Sequence, residues 1–136
     1  MGARRKGREA ALQVLYGIDV SGRSAESALR AFWAHLGASP EGQEFGDALV
    51  RGVAEKQDAI DETIRRVSHH WRLERMARVD RNILRIATYE LMELSDVPRR
   101  VTLNEAIELA KRFGSEGSAG FVNGVLDRIA SDLGKP

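Results

Sequence analysis

Side chains able to make or break bonds are few in this 136-residue sequence, and their spacing does not assemble them. Cysteine is absent, which removes thiolate zinc ligands, iron–sulfur ligation, disulfides and thiol nucleophiles together. His35 stands alone, and His69 and His70 are neighbours that would point about 100° apart on a helix, unlike the i, i+4 pair that clamps a metal. They read as solvated or boundary residues. Asp80, Glu90, Glu93, Asp96, Glu105 and Glu108 supply many carboxylates, but nothing pairs two of them in a dry cleft, so they read as a solvated helical surface. The stretch Gly114-Ser115-Glu116-Gly117-Ser118-Ala119-Gly120 is rich in glycine, yet it lacks the preceding strand and the lysine of a nucleotide loop. Its GxxG also lacks the sheet that accompanies a KH clamp. A helix-to-helix turn accounts for it, followed by a helix N-terminus whose unpaired amides can attract phosphate. The expectation is a chain with no catalytic residue, no metal and no cofactor.

The chemistry that the sequence favours is electrostatic. Arg4, Arg5, Lys6 and Arg8 crowd the first eight residues without an acid among them. The net charge of +1 hides this: the other 17 of the 21 basic residues face 20 acidic ones, leaving residues 9 to 136 at −3. Taken alone, such an arm is as well explained by a soluble tail as by nucleic-acid binding. Tyr16, two turns beyond Arg8, shifts the balance. Guanidinium forks grip phosphate and aromatic faces stack unpaired bases, so an arm beside an exposed aromatic suits single-stranded RNA. A half-buried core tyrosine is the competing account.

These residues need elements to position them, and the apolar period supplies helices. Hydrophobic residues make up 43% and charged residues 30%, the composition of a globular chain with room for one domain. Ala11, Leu12, Leu15 and Ile18 mark a first helix ended by Ser21-Gly22. A second runs from about Ser24 to Leu36, and residues 37–42 form a loop. Phe45, Leu49, Val50 and Val53 define a third, Ile60, Ile64 and Val67 a fourth. Trp71 and Leu73 lead into a long fifth helix carrying Val79, Ile83, Leu84, Ile86, Ala87, Leu91 and Leu94, which stops near Asp96-Val97-Pro98. Thr102 and Glu105 read as a capping box opening the sixth, with Ala106, Leu109, Ala110 and Phe113 buried and Gly114 as its left-handed terminator. The seventh begins near Ser118 and buries Phe121, Val122, Val125, Leu126, Ile129 and Leu133. Gly124 inside it suggests close approach of a neighbouring helix. The fold expected is all-α, about seven helices in two small packed bundles without a sheet: a basic arm 1–8, an N-terminal bundle over about 9–70 and a C-terminal one over about 71–136. No stretch approaches the ~20 apolar residues of a membrane span, so a cytoplasmic location is expected.

Several blocks together resemble the NusB family of bacterial transcription antitermination factors. They are Arg4-Arg5-Lys6-Gly7-Arg8-Glu9, Ala11-Leu12-Gln13-Val14-Leu15-Tyr16, Leu49-Val50-Arg51-Gly52-Val53, Trp71 through Met76, Val79 through Ala87, Tyr89-Glu90-Leu91, and the long run from Asp96 to Asp127. The resemblance implies two small helical bundles. It also implies recognition of the boxA element of nascent ribosomal RNA transcripts together with NusE, a small-subunit ribosomal protein, inside a transcription elongation complex. Carried onto this sequence, it gives Arg4, Arg5, Lys6, Arg8 and Tyr16 to RNA, with Gly117, Ser118 and Phe121 adding to that surface. Glu74, Asp80 and Arg85 would face the protein partner. Two other readings compete: the NusB-like domain of an RNA cytosine methyltransferase, which needs a catalytic extension, and a protein-binding module whose homodimer covers its own RNA surface.

Overall fold

The computed structural model describes residues 2–35 and 40–136, apart from the side chain of His35. Leu36 and the loop residues Gly37, Ala38 and Ser39 lie outside the described residues. Seven α-helices and one 3₁₀ turn form among the described residues, without a strand. The chain divides into two compact units, residues 1–55 and 56–136.

The first unit holds α1 (Ala3–Ser21), α2 (Ala25–His35) and α3 (Gln43–Glu55). Its core is Ala11, Leu12, Val14, Leu15, Leu29, Leu49, Val50 and Val53, each less than 5% exposed, so the apolar period of the sequence is the buried stripe. Gly22 ends α1 in the left-handed region (φ 74°), donating its amide to the Ile18 carbonyl at 2.8 Å. The helix begins earlier than expected. Residues 3 to 8, read from the sequence as an arm ahead of the first helix, are its opening turns.

Three glycines explain that extension. Gly7 on α1 lies backbone to backbone against Gly42 and Gly46: a Cβ at Gly7 would sit 2.8 Å from the Gly42 carbonyl oxygen and 3.0 Å from the Gly46 nitrogen. Gly42 is held at φ 82°, where L side chains are strained, and a Cβ there would run into the Ala3 carbonyl. Such a contact is open only to residues without side chains. It anchors the start of α1 on the start of α3.

The second unit comprises α4 (Gln57–Val67), the 3₁₀ turn Leu73–Arg75, α5 (Arg78–Glu93), α6 (Arg99–Phe113) and α7 (Ser118–Asp132). Helix α4, separated from α3 by the single turn residue Lys56, thus belongs with the C-terminal helices rather than with residues 9–55. Helix α5 is its centre, buried without interruption from Asn82 to Thr88. Helices α4, α6 and α7 cover it with Ile60, Ile64, Ala106, Leu109, Val122, Leu126 and Ile129.

Three local expectations are corrected here. Helix α6 starts at Arg99 after Pro98, so Thr102 is not a cap: it is 1% exposed and its hydroxyl donates to Oε1 of the buried Glu90 at 3.3 Å. Proline at the preceding position, with its fixed φ and no amide to satisfy, opens the helix one turn sooner. Gly114 has φ −91° and is not left-handed; its missing side chain makes room for Ser118, whose Oγ would lie 2.5 Å from a Cβ. Gly124 meets no neighbouring helix, since a Cβ there would reach only Arg128 Nη2 at 3.9 Å.

Candidate nucleic-acid interface

Helix α1 sorts the expected RNA-binding cations into two sets. At about 100° per residue, Arg4 and Arg8 share one face and Arg5 lies within about 20° of Tyr16 on another. The first face turns onto α3, where the guanidinium carbons of Arg4 and Arg8 lie 4.8 and 5.2 Å from the centre of the Phe45 ring. Arg8 is only 4% exposed, its stem buried beside the glycine contact and its charge set against the ring's π face. Arg8 therefore holds α1 on α3 and does not present a free fork to solvent, a correction to its expected place on the surface. Arg4 keeps an exposed position on the rim of the same stack.

On the second face Arg5 is half-buried, Tyr16 is 41% exposed and Val20 beyond it 58% exposed, and Lys6, about 80° round the helix from Tyr16, is exposed. Tyr16 is therefore not a core residue. The first turn of α1 contains no acid and Gly2 offers no side-chain cap, so the positive end of the helix dipole adds to the field of Arg4, Arg5 and Lys6. A cationic helix end followed two to three turns later by an exposed aromatic on the same face can hold phosphate and stack a base.

The second unit carries the other expected contacts. Gly117 is exposed at the N-cap of α7. Ser118 is 2% exposed, and its Oγ accepts the Ser115 amide at 3.0 Å. Its hydroxyl shapes the turn before α7 and is buried away from solvent, against the expectation of an RNA contact. Phe121 is half-buried and packs edge-to-face on Trp71, with ring centres 5.8 Å apart and planes at 79°. Trp71 itself is 61% exposed. From the sequence it reads as the lead-in to α5 and the start of a family block, with no RNA role, whereas it is the most exposed large aromatic among the described residues. A signal was available in local charge: Arg65, Arg66, Arg72, Arg75 and Arg78 stand against Glu74 alone in residues 65–78, a net of +4.

The residues expected to face a protein partner divide similarly. Glu74, on the 3₁₀ turn, is exposed and accepts from Arg65 Nη2 at 2.9 Å. That hydrogen bond holds its carboxyl below the ordinary carboxylate value. Asp80 is half-buried in the first turn of α5, where a carboxylate complements the helix dipole, and its Oδ1 has no hydrogen-bond partner. Arg85 is buried. Its Nε and Nη2 donate to Asp61 Oδ1 and Oδ2 at 2.9 and 3.1 Å, so it ties α5 to α4 rather than facing outward. This corrects its expected place on the partner surface.

Against known proteins, residues 5–131 match the NusB family. The chain is 57% identical over 135 residues to the transcription antitermination protein NusB of Sorangium cellulosum (strain So ce56), covering 99% of this chain and 96% of that one. It is 49% identical over 140 residues to the same-named protein of Myxococcus xanthus (strain DK1622), covering 100% of both. Among solved structures, T. maritima NusB superposes with a TM-score of 0.84 at 39% identity, over 95% of this chain and 91% of that one. A crystal structure of antitermination factors NusB and NusE in complex with dsRNA gives a TM-score of 0.83 at 26% identity, over 96% of this chain and 97% of that one.

Proposed function

This chain belongs to the NusB family, and on that premise we propose that it is a transcription antitermination factor that binds boxA-type RNA of ribosomal RNA transcripts together with NusE and catalyses no reaction itself. The observation that carries the reading is the open face of α1. There Arg5 and Lys6 stand at an uncapped, acid-free helix start and Tyr16 is exposed two to three turns along. The cations supply the salt-dependent, sequence-independent part of the affinity, and base selectivity comes from aromatic stacking and hydrogen bonds to unpaired edges. Arg4 and Arg8 contribute mainly by fixing α1 on Phe45. Gly117 and Phe121, in the second unit, also contact RNA, and Glu74 and Asp80 meet NusE. The factor works in the cytoplasm within the elongation complex; no helix among the described residues is long and apolar enough to cross a membrane.

The test is an electrophoretic shift with a short boxA-type RNA, single-stranded and as a duplex, with and without NusE. A specific shift that strengthens when NusE is added is expected. Equal binding to a scrambled RNA would reduce the interaction to charge alone and remove the reading.

A further inference from the structure

We propose that Trp71 is a second base-stacking platform for single-stranded RNA, oriented by Phe121 and lying in the arginine-rich segment of residues 65–78. The inference rests on the RNA-binding reading above and adds a contact that it does not contain.

Three observations carry it. The indole is 61% exposed, a large apolar surface left in water. The edge-to-face contact with Phe121, at 5.8 Å and 79°, orients one ring against the other. An edge-to-face pair cannot cover both faces of the indole, and with 61% of the residue exposed the ring keeps surface for a planar partner. A platform already ordered loses little further freedom when a base settles on it.

Charge selects the partner. Arg65, Arg66, Arg72, Arg75 and Arg78 are answered in part: Glu74 takes Arg65 at 2.9 Å and Arg72 loosely at 3.9 Å, and Asp132 takes Arg66 at 2.9 Å. Counting both acids, cations still exceed them by three. Arg72 and Arg75, one and four residues after Trp71 in the chain, are exposed. Residues 65–78 expose no other large hydrophobic side chain, so no apolar patch of the kind that forms the core of a protein interface is built around the indole from this segment. An exposed aromatic in a segment with surplus guanidinium charge suits a strand that carries a flat base on every negatively charged unit.

Trp71 and Trp33 are the two tryptophans of the chain, so in the Trp33→Phe protein Trp71 emission reports the platform directly. Titration with a single-stranded boxA-type RNA, with NusE present, should quench that emission in step with binding; inorganic polyphosphate, which has charge but no base, should not. In the otherwise unaltered full chain, Trp71→Ala should weaken RNA binding roughly 5- to 150-fold, the range for one stacked base. Its salt slope should stay as it was, because no charge is lost. Trp71→Phe should recover part of the affinity, which guards against a folding defect in the alanine variant. Unmoved emission at saturating RNA, or alanine-variant binding equal to the parent, overturns the proposal while leaving the α1 interface standing. So does a Trp71→Ala variant that loses NusE but keeps RNA, since the platform would then serve protein. If the unaltered chain binds no RNA even with NusE, both readings fall.

Discussion

Removing one member of the buried Asp61–Arg85 pair separates a positioning role for Arg85 from a partner-contacting one. The two side chains are 10% and 7% exposed, and the pair is a two-bond fork at 2.9 and 3.1 Å, with Asn82 Oδ1 accepting from Nη1 at 3.3 Å. Asp61→Ala leaves a guanidinium in the interior without its counter-charge, a loss of about 3–5 kcal/mol. Unfolding entropy near 2.1 cal/mol/K per residue makes about 0.29 kcal/mol/K for 136 residues. The melting temperature should therefore drop by about 10–17 °C. Arg85→Ala should fall similarly. The Asp61→Leu/Arg85→Met double variant should recover most of the loss, because replacing a whole buried pair by apolar groups of similar volume is often neutral. Circular-dichroism melts at pH 7 measure the three shifts, and calorimetric titration with NusE, well below the lowest melting temperature, measures partner binding. If Arg85 acts by joining α5 to α4, the double variant binds NusE as the parent does. A drop of less than about 3 °C for Asp61→Ala would refute the energetic reasoning. A stable double variant that no longer binds NusE would refute the positioning role.

The glycines should respond in opposite directions. Gly7→Ala places a Cβ 2.8 Å from the Gly42 carbonyl oxygen and should cost about 1–3 kcal/mol, whereas Gly124→Ala meets only Arg128 Nη2 at 3.9 Å and should gain up to about 1 kcal/mol; urea denaturation at equilibrium reads both. Arg5→Ala/Lys6→Ala should flatten the log-log salt dependence of single-stranded RNA binding by about 1.4, at about 0.7 per phosphate contact, and leave the melting temperature near that of the parent. Thr102→Val takes a hydroxyl from the buried Glu90 and should cost about 1–3 kcal/mol in a melt.

What the sequence determined by itself was the succession of helices. Apolar spacing near 3.6 marks one face of a helix whatever covers it, so the stripes of α1, α3, α4, α5 and α7 were legible, and so was the stop at Gly22. Family blocks spread over the chain carried the rest of the identification. Starts were harder. The first turn of α1 holds cations, no acid and no side-chain cap, which opposes the helix dipole, and local signals alone place those residues in an arm. Their helix is secured from a distance by Gly42 and Gly46.

Only the tertiary structure decided which polar and aromatic residues meet solvent. Periodicity says which residues share a face; it does not say what another helix sets against that face. Phe45 draws in Arg8 while Lys6 stays exposed, and Asp61, 24 positions away, turns Arg85 from a surface candidate into a buried tie. Ser118 folds back onto the turn before its own helix. Trp71, given no RNA role by the sequence, stands exposed against Phe121. Burial is a pairwise property of residues far apart in the chain, and a single strand of sequence specifies only one side of each pair locally.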